Sequence, residues 1–211
     1  IGTTAPASKL HVENTSGSGL TLKTSAGGNF ARFTRMASGD TTNGDWSLEH
    51  SSKALVFKTN AASGSYASPS WINAMSINSA GIVTKPYQPA AVAYSMPDSN
   101  NGTLVYSTEK FDNAGNMNLT NGRFTCPVAG VYSVSISGFY NSGRSNNGDV
   151  AIRVNNSLYV RASYSNESTS NYVAITGVSL VKVAANDYIT IFTEGDMHGS
   201  DASVFSVHLV G

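Results

Sequence analysis

The sequence predicts an all-β protein, a sandwich or jelly roll built from many short strands. Three observations predict it. Apolar residues alternate with polar ones at period two through most of the chain, as strands with one face in a core require. No window of helical length carries an apolar i, i+3, i+4, i+7 stripe free of Gly and of β-branched runs. Clusters of Gly, Asn, Ser and Asp punctuate the alternating runs, and these residues favour turns over helix.

Taken from the N-terminus, the first strand candidates are short: Lys9–Glu13, Leu20–Thr24, Phe30–Arg35, Trp46–Glu49, Ala54–Thr59, Ala74–Asn78 and Gly81–Thr84. Their links are rich in Gly, Ser and Asn, and their apolar residues are small and scattered. Such a region has a weak core of its own and gains by burying a face against copies of itself. The stretch "VTKPYQPA" at 83–90 carries two prolines, and the texture of the sequence changes there. The domain boundary is therefore placed between 84 and 85.

Beyond it the alternation sharpens. Tyr132, Val134 and Ile136 share one face of a strand, with Val131, Ser133 and Ser135 on the other. Val150, Ile152 and Val154 lie on one side of a second strand. In a third, Tyr188, Thr190 and Phe192 alternate with Ile189, Ile191 and Thr193. In the last, Phe205, Val207 and Leu209 alternate with Val204, Ser206 and His208. The turn clusters between them are "NSGRSNNGD" at 141–149, "SNEST" at 165–169, "AAND" at 184–187 and "GDMHGSDA" at 195–202.

Composition removes several function classes. Lys and Arg balance Asp and Glu at 13 each, and only 12% of residues are charged, against about 25% in an average globular chain. A neutral chain has no basic stripe for nucleic acid and no polybasic run for an anionic membrane. Its apolar runs fall short of the ~18 residues of a membrane-spanning helix, so no membrane insertion is expected. A single cysteine excludes a disulfide within the chain and a cysteine-rich zinc site. The opening "IGTTAPASKLHV" reads as the interior of a longer chain, whereas "VFSVHLVG" reads as a finished strand.

The segment "NLTNGRFTCPVAGVYSVS" resembles the most distinctive stretch of the complement one-q globular head, a branch of the tumour-necrosis-factor superfamily. The residues that carry the resemblance are Gly122, Phe124, Cys126, Pro127, Gly130 and Tyr132, with Phe205 in the closing strand "SVFSVHLVG". It extends over about 85–211, from "QPAAVAYS" through "VAITGVSLVKVAANDYITIF". Two departures stand out: "AAND" replaces the family's Gly-Asp, and Ser133–Val134 replaces an aromatic pair. The resemblance implies a trimeric, ten-strand, TNF-like jelly-roll head. The N-terminal "IGTTAPASKLHV…GSGLTLKTSAGGNFARFTR…GDWSLEH…KALVFKT" is similar to bacteriophage tail-fibre shafts, so residues 1–84 are expected to form a small β-rich shaft or neck. Together they imply a non-enzymatic, homotrimeric fibre tip, extracellular when acting and joined to the rest of the fibre and virion tail. It would attach the virion to a host-surface receptor, a glycan or a protein. The alternative is a structural head fibre, decoration protein or trimerisation cap.

The sequence offers little for catalysis or metal binding. A reactive Cys126 needs a nearby His or cation to stabilise its thiolate. The nearest histidines along the chain are His50 and His198, so Cys126 reads as a small hydrophobe at a strand edge, stopped by Pro127. His11, His50, His198 and His208 show no HxH, HxxxH or HxxE spacing, which leaves zinc unsupported. Glu194, Asp196 and Asp201 form the densest acidic cluster. They are weak calcium candidates and lack the EF-hand spacing, and no convincing acid pair for glycoside hydrolysis stands out. Ser133, Ser135 and Ser137 lack a nucleophile elbow and read as an outer or inter-subunit sheet surface. Tyr140, Tyr159, Tyr164 and Tyr172 lie at strand ends or beside loops, where rings serve an interface, the core or a ligand. The expected receptor contacts are Tyr140, Arg144, Tyr164, Asn166, Asp196 and His198, on loops 141–148, 164–170 and 195–202.

Overall fold

The computed structural model of the chain describes residues 28–33, 46–51, 53–60, 71–142, 148–165, 170–199 and 203–211. The chain divides into two compact units, Ile1–Pro86 and Tyr87–Gly211. The strand candidates Lys9–Glu13 and Leu20–Thr24 lie outside the described residues.

The first unit is an antiparallel meander. Strands β1 (Gly28–Phe33), β2 (Trp46–Ser51), β3 (Ala54–Asn60), β4 (Trp71–Ile77) and β5 (Val83–Thr84) pair in sequence order. The β4–β5 turn follows from its composition. The Asn78 side-chain oxygen accepts from the N–H groups of Ala80 and Ile82 at 2.9 and 3.0 Å, while Gly81 takes a φ of 78°, which costs glycine nothing. Among the described residues of this unit, Val56 is the one buried hydrophobic.

The second unit is an antiparallel sandwich of the jelly-roll kind. Its strands are β6 (Ala90–Tyr94), β7 (Ser99–Thr103), β8 (Thr108–Asp112), β9 (Met117–Asn118), β10 (Arg123–Thr125), β11 (Gly130–Tyr140), β12 (Gly148–Val154), β13 (Ser157–Ser165), β14 (Val173–Val183), β15 (Tyr188–Met197) and β16 (Val204–Leu209). One layer runs β14-β11-β16-β6-β8. The other runs β13-β12-β15, with β7 and the β10–β9 pair on the far side of β15. Among the described residues a single strand-paired position, Tyr140 with Met197, joins the layers. Among the described residues the unit has 11 strands where ten were expected. The stretch around "NMNLTNGRFT" accounts for short pieces, because β9 and β10 fold back on each other around the 119–122 turn.

The alternation read from the sequence sets what is inside. On β11, Tyr132, Val134 and Ile136 are buried; on β16, Phe205 and Val207; on β12, Val150 and Ile152; on β15, Ile189 and Ile191. These come from both layers and form one core, which hydrophobic burial stabilises by about 25 cal/mol per Å². Tyr106 stacks on Phe205 at 5.8 Å. His208 points away from the core and is exposed.

The residues that carry the family resemblance have physical tasks. Gly122 has φ 66°, and a β-carbon there would lie 1.9 Å from the Leu104 carbonyl oxygen. Phe124 is fully buried and meets Tyr132 edge-on at 5.9 Å. The Cys126 N–H donates to the Asp187 carbonyl, and its own carbonyl accepts from the Asn186 N–H, both at 2.7 Å. Pro127, with no N–H to give, ends the strand and opens a bend over 127–129. The Tyr132 hydroxyl spans that bend to the Val128 carbonyl at 3.0 Å. Gly130 starts β11 where a β-carbon would meet Leu209 Cδ1 at 2.7 Å.

The departure "AAND" has a local explanation. Asn186 takes φ 70°, a conformation that only Gly, Asn and Asp visit readily. Asn at this position therefore takes a backbone conformation that otherwise suits glycine. Asp187 then closes the turn by accepting from the Ala184 N–H at 2.7 Å and from the Asn155 amide at 2.7 Å. The Asn155 bond, followed by the Ala184 bond, holds its carboxyl below the usual carboxylate range.

Candidate functional site

The junction of the two layers creates a site at one end of the second unit. Two backbone bonds flank the Tyr140–Met197 pair and hold it. The Asn141 N–H donates to the Asp196 carbonyl and the His198 N–H to the Phe139 carbonyl, each at 2.9 Å. These backbone bonds bring two side chains together. His198 Nδ1 lies 3.0 Å from Asn141 Oδ1, and the Asn141 amide nitrogen donates to the Met197 carbonyl at 3.4 Å.

Two further residues complete the cluster. Asp98 arrives from the β6–β7 connection. Its Oδ1 accepts from the Gly199 N–H at 2.6 Å and lies 3.6 Å from His198 Nδ1. Tyr172, immediately before β14, sets its ring 4.6 Å from the imidazole, tilted by 44°. The cluster opens to solvent, with Tyr172 55% exposed and the side chains of His198 and Asp98 32% and 67% exposed. An exposed ring, an imidazole, a carboxylate and an amide on backbone fixed by strand pairing suit the binding of a polar ligand with an apolar face. Nothing in the arrangement supplies a nucleophile with its base.

The expected receptor contacts divide. His198 is at the centre of this cluster. Tyr140 is corrected: it is 0% exposed and belongs to the core, because β11 keeps its alternation to its last residue. Asp196 is also corrected as a loop residue. The strand β15 continues through Met197, since β7 pairs with it, Asp196 facing Asn100. Tyr164 is exposed, on β13. Arg144, Asn166 and Asp201 lie outside the described residues. Glu194 and Asp196 both stand on β15, and among the described residues no group of three or more His, Cys, Asp and Glu could hold a metal ion.

Asp98 was not foreseen as a contact, and Asn141 was foreseen only as part of the 141–148 loop. Tyr172 was legible as a strand-end aromatic. Asp98 and Gly199 are 101 residues apart, so no spacing announces their meeting.

Cys126 is buried, and burial, with the nearby Asp187 carboxylate adding to it, pushes its thiol up to about 12. It is neither a thiolate nor accessible, which removes nucleophilic and metal roles. On the outer face of the second layer, the Arg123 guanidinium lies over Tyr188 at 4.2 Å and that of Arg153 over Phe192 at 3.3 Å, while Arg161 pairs with the buried Asp149. The outer face of the first layer is different. Ser135 and Ser206 share a 2.5 Å hydrogen bond, and beside the serine row stand Val178, 70% exposed, and Leu180, 60% exposed.

No family model and no curated protein matches the chain. Among solved structures, the globular domain of zebrafish complement 1qA protein is similar, with 17% identity over 59% of this chain and 98% of that one, at a TM-score of 0.47. A likeness of that size transfers no ligand, partner or activity.

Proposed function

We propose that the chain is the distal part of a bacteriophage tail fibre or receptor-binding protein, whose second unit attaches the virion to a host-surface receptor. The observation that carries the reading is the cluster of Tyr172, His198, Asn141 and Asp98, exposed at one end of the sandwich. It is a recognition surface without catalytic machinery. Aromatic rings stack on apolar sugar faces while carboxylates and amides take hydroxyls, so the receptor proposed is a glycan. The first unit is proposed as shaft or neck, on the sequence similarity to fibre shafts.

Affinity would come from repetition. In a homotrimer three weak sites share one rigid tip, and several fibres multiply the effect without stronger individual contacts. The exposed Val178 and Leu180 beside neutral serines favour an interface between copies, where burial of the pair would remove apolar surface from water. Light scattering that reads a stable monomer contradicts the trimer.

The same apolar face favours a second reading, in which the head is a trimerisation cap of a virion fibre. Removing 85–211 separates the two. Retained trimers that no longer bind cells support attachment; loss of trimers supports the cap. The test of attachment itself is adsorption of the purified chain to host cells, with Tyr172→Ala expected to weaken it.

A further inference from the structure

We infer that the cluster around His198 is a subsite for an uncharged hexose, and that it discriminates against acidic sugars. This rests on the attachment reading and adds the ligand's chemistry. The warrant is a chain of hydrogen bonds that fixes which ligand-facing atoms accept and which donate.

The chain starts at the Met197 carbonyl. A carbonyl only accepts, so the Asn141 amide must present its nitrogen there. Its oxygen therefore faces His198 Nδ1, at 3.0 Å. The Asp98 Oδ1 approaches the same nitrogen at 3.6 Å. Two acceptors face Nδ1, so Nδ1 carries the proton and, in the neutral ring, Nε2 keeps a lone pair. Asp98 Oδ1 is occupied by the Gly199 N–H, whereas Oδ2 has no partner among the described residues.

The cluster therefore offers two acceptors, His198 Nε2 and Asp98 Oδ2, next to an exposed tyrosine ring. The matching ligand donates at least two hydrogen bonds from neighbouring positions and carries an apolar patch. Neighbouring hydroxyls and the C–H face of a pyranose meet that description. A sugar carboxylate or phosphate would bring acceptors and negative charge against a carboxylate, which costs rather than gains.

The probes are methyl glucoside, methyl galactoside and methyl mannoside, against glucuronate and N-acetylneuraminate, with the full chain and saturation-transfer NMR. At least one hexoside should receive saturation on its ring C–H protons. That transfer should vanish in Tyr172→Ala, and affinity should fall at least tenfold in Asp98→Ala. Both side chains are exposed, and an unchanged melting temperature confirms that each variant folds. The acidic sugars should bind at least tenfold more weakly than the best hexoside. The inference is overturned if none of the three hexosides binds, if Tyr172→Ala leaves transfer unchanged, or if an acidic sugar binds as well. Cell adsorption separates this from the underlying reading. Adsorption without hexoside binding removes the ligand class alone, and hexoside binding without adsorption removes attachment alone.

Discussion

Gly122 sits so close to Leu104 that a β-carbon built on it would fall 1.9 Å from the Leu104 carbonyl oxygen. The turn also holds Gly122 at φ 66°, so a side chain is refused twice, by the backbone conformation and by its neighbour. Leu104 is itself fully buried, and its N–H donates to the Ile191 carbonyl at 2.8 Å, so it cannot move aside without breaking the contact to β15. Gly122→Ala is expected to destabilise the second unit by about 3 kcal/mol or more, measured by denaturant unfolding. A loss below about 0.5 kcal/mol, the range of neutral surface changes, contradicts the role.

Asn186 gives a second test of backbone conformation. Its φ of 70° is accessible to Gly without strain, whereas a β-branched residue pays about 1–2 kcal/mol there. Asn186→Gly should leave stability within about 0.5 kcal/mol, and Asn186→Val should lower it by about 2 kcal/mol. Equal effects in the two variants would show that the side chain, and not the backbone, matters at this position.

The buried thiol predicts alkaline behaviour. Cys126 is raised from 9.0 to about 12 in the fold, and burial raises the hydroxyls of Tyr106 and Tyr132 as well. Below pH 9 the thiol is protonated in both states and stability does not depend on it. Above that the unfolded thiol loses its proton while the folded one keeps it, so stability falls as pH rises towards 12. Unfolding curves across this window should show the decline, and Cys126→Ala should make it shallower. Iodoacetamide should label Cys126 after denaturation and leave the folded chain unmodified; rapid labelling of the native protein contradicts its burial.

The imidazole of His198 is predicted to carry its proton on Nδ1, because Asn141 and Asp98 both present oxygens to that atom. Nitrogen-15 chemical shifts of the neutral ring read this directly. A pyrrole-type Nδ1 with a pyridine-type Nε2 is expected, and Asn141→Leu should erode the preference. The reverse assignment in the unaltered protein removes the acceptor at the ligand face.

Much of the second unit was legible because its signals are local. Period-two alternation placed Tyr132, Val134, Ile136, Phe205 and Val207 in the core, and the bend over 127–129 is spanned locally, by the Tyr132 hydroxyl on the Val128 carbonyl. The misreadings arose where a partner strand overrides local composition. "TEGDMHG" looks like a turn, yet β7 and the Tyr140–Met197 pair hold it extended as far as Met197. Tyr140 looked like a loop-side aromatic, and the meeting of the two layers buries it. Of the site, His198 was legible outright, Tyr172 only as a strand-end aromatic, and Asn141 only as part of the 141–148 loop. Asn141 lies 57 residues from His198, and the contact depends on how two strands end, which no spacing along the chain records.

The central claim is that the end of the sandwich around His198 binds cell surfaces. Labelled full chain, applied to a panel of bacterial cells, measures it directly beside the double variant Tyr172→Ala, Asp98→Ala. Saturable binding of the unaltered chain to at least one strain, weakened at least tenfold in the variant, is the expected result. Equal binding of the two proteins, or no binding by the unaltered chain to any cell tested, would contradict it.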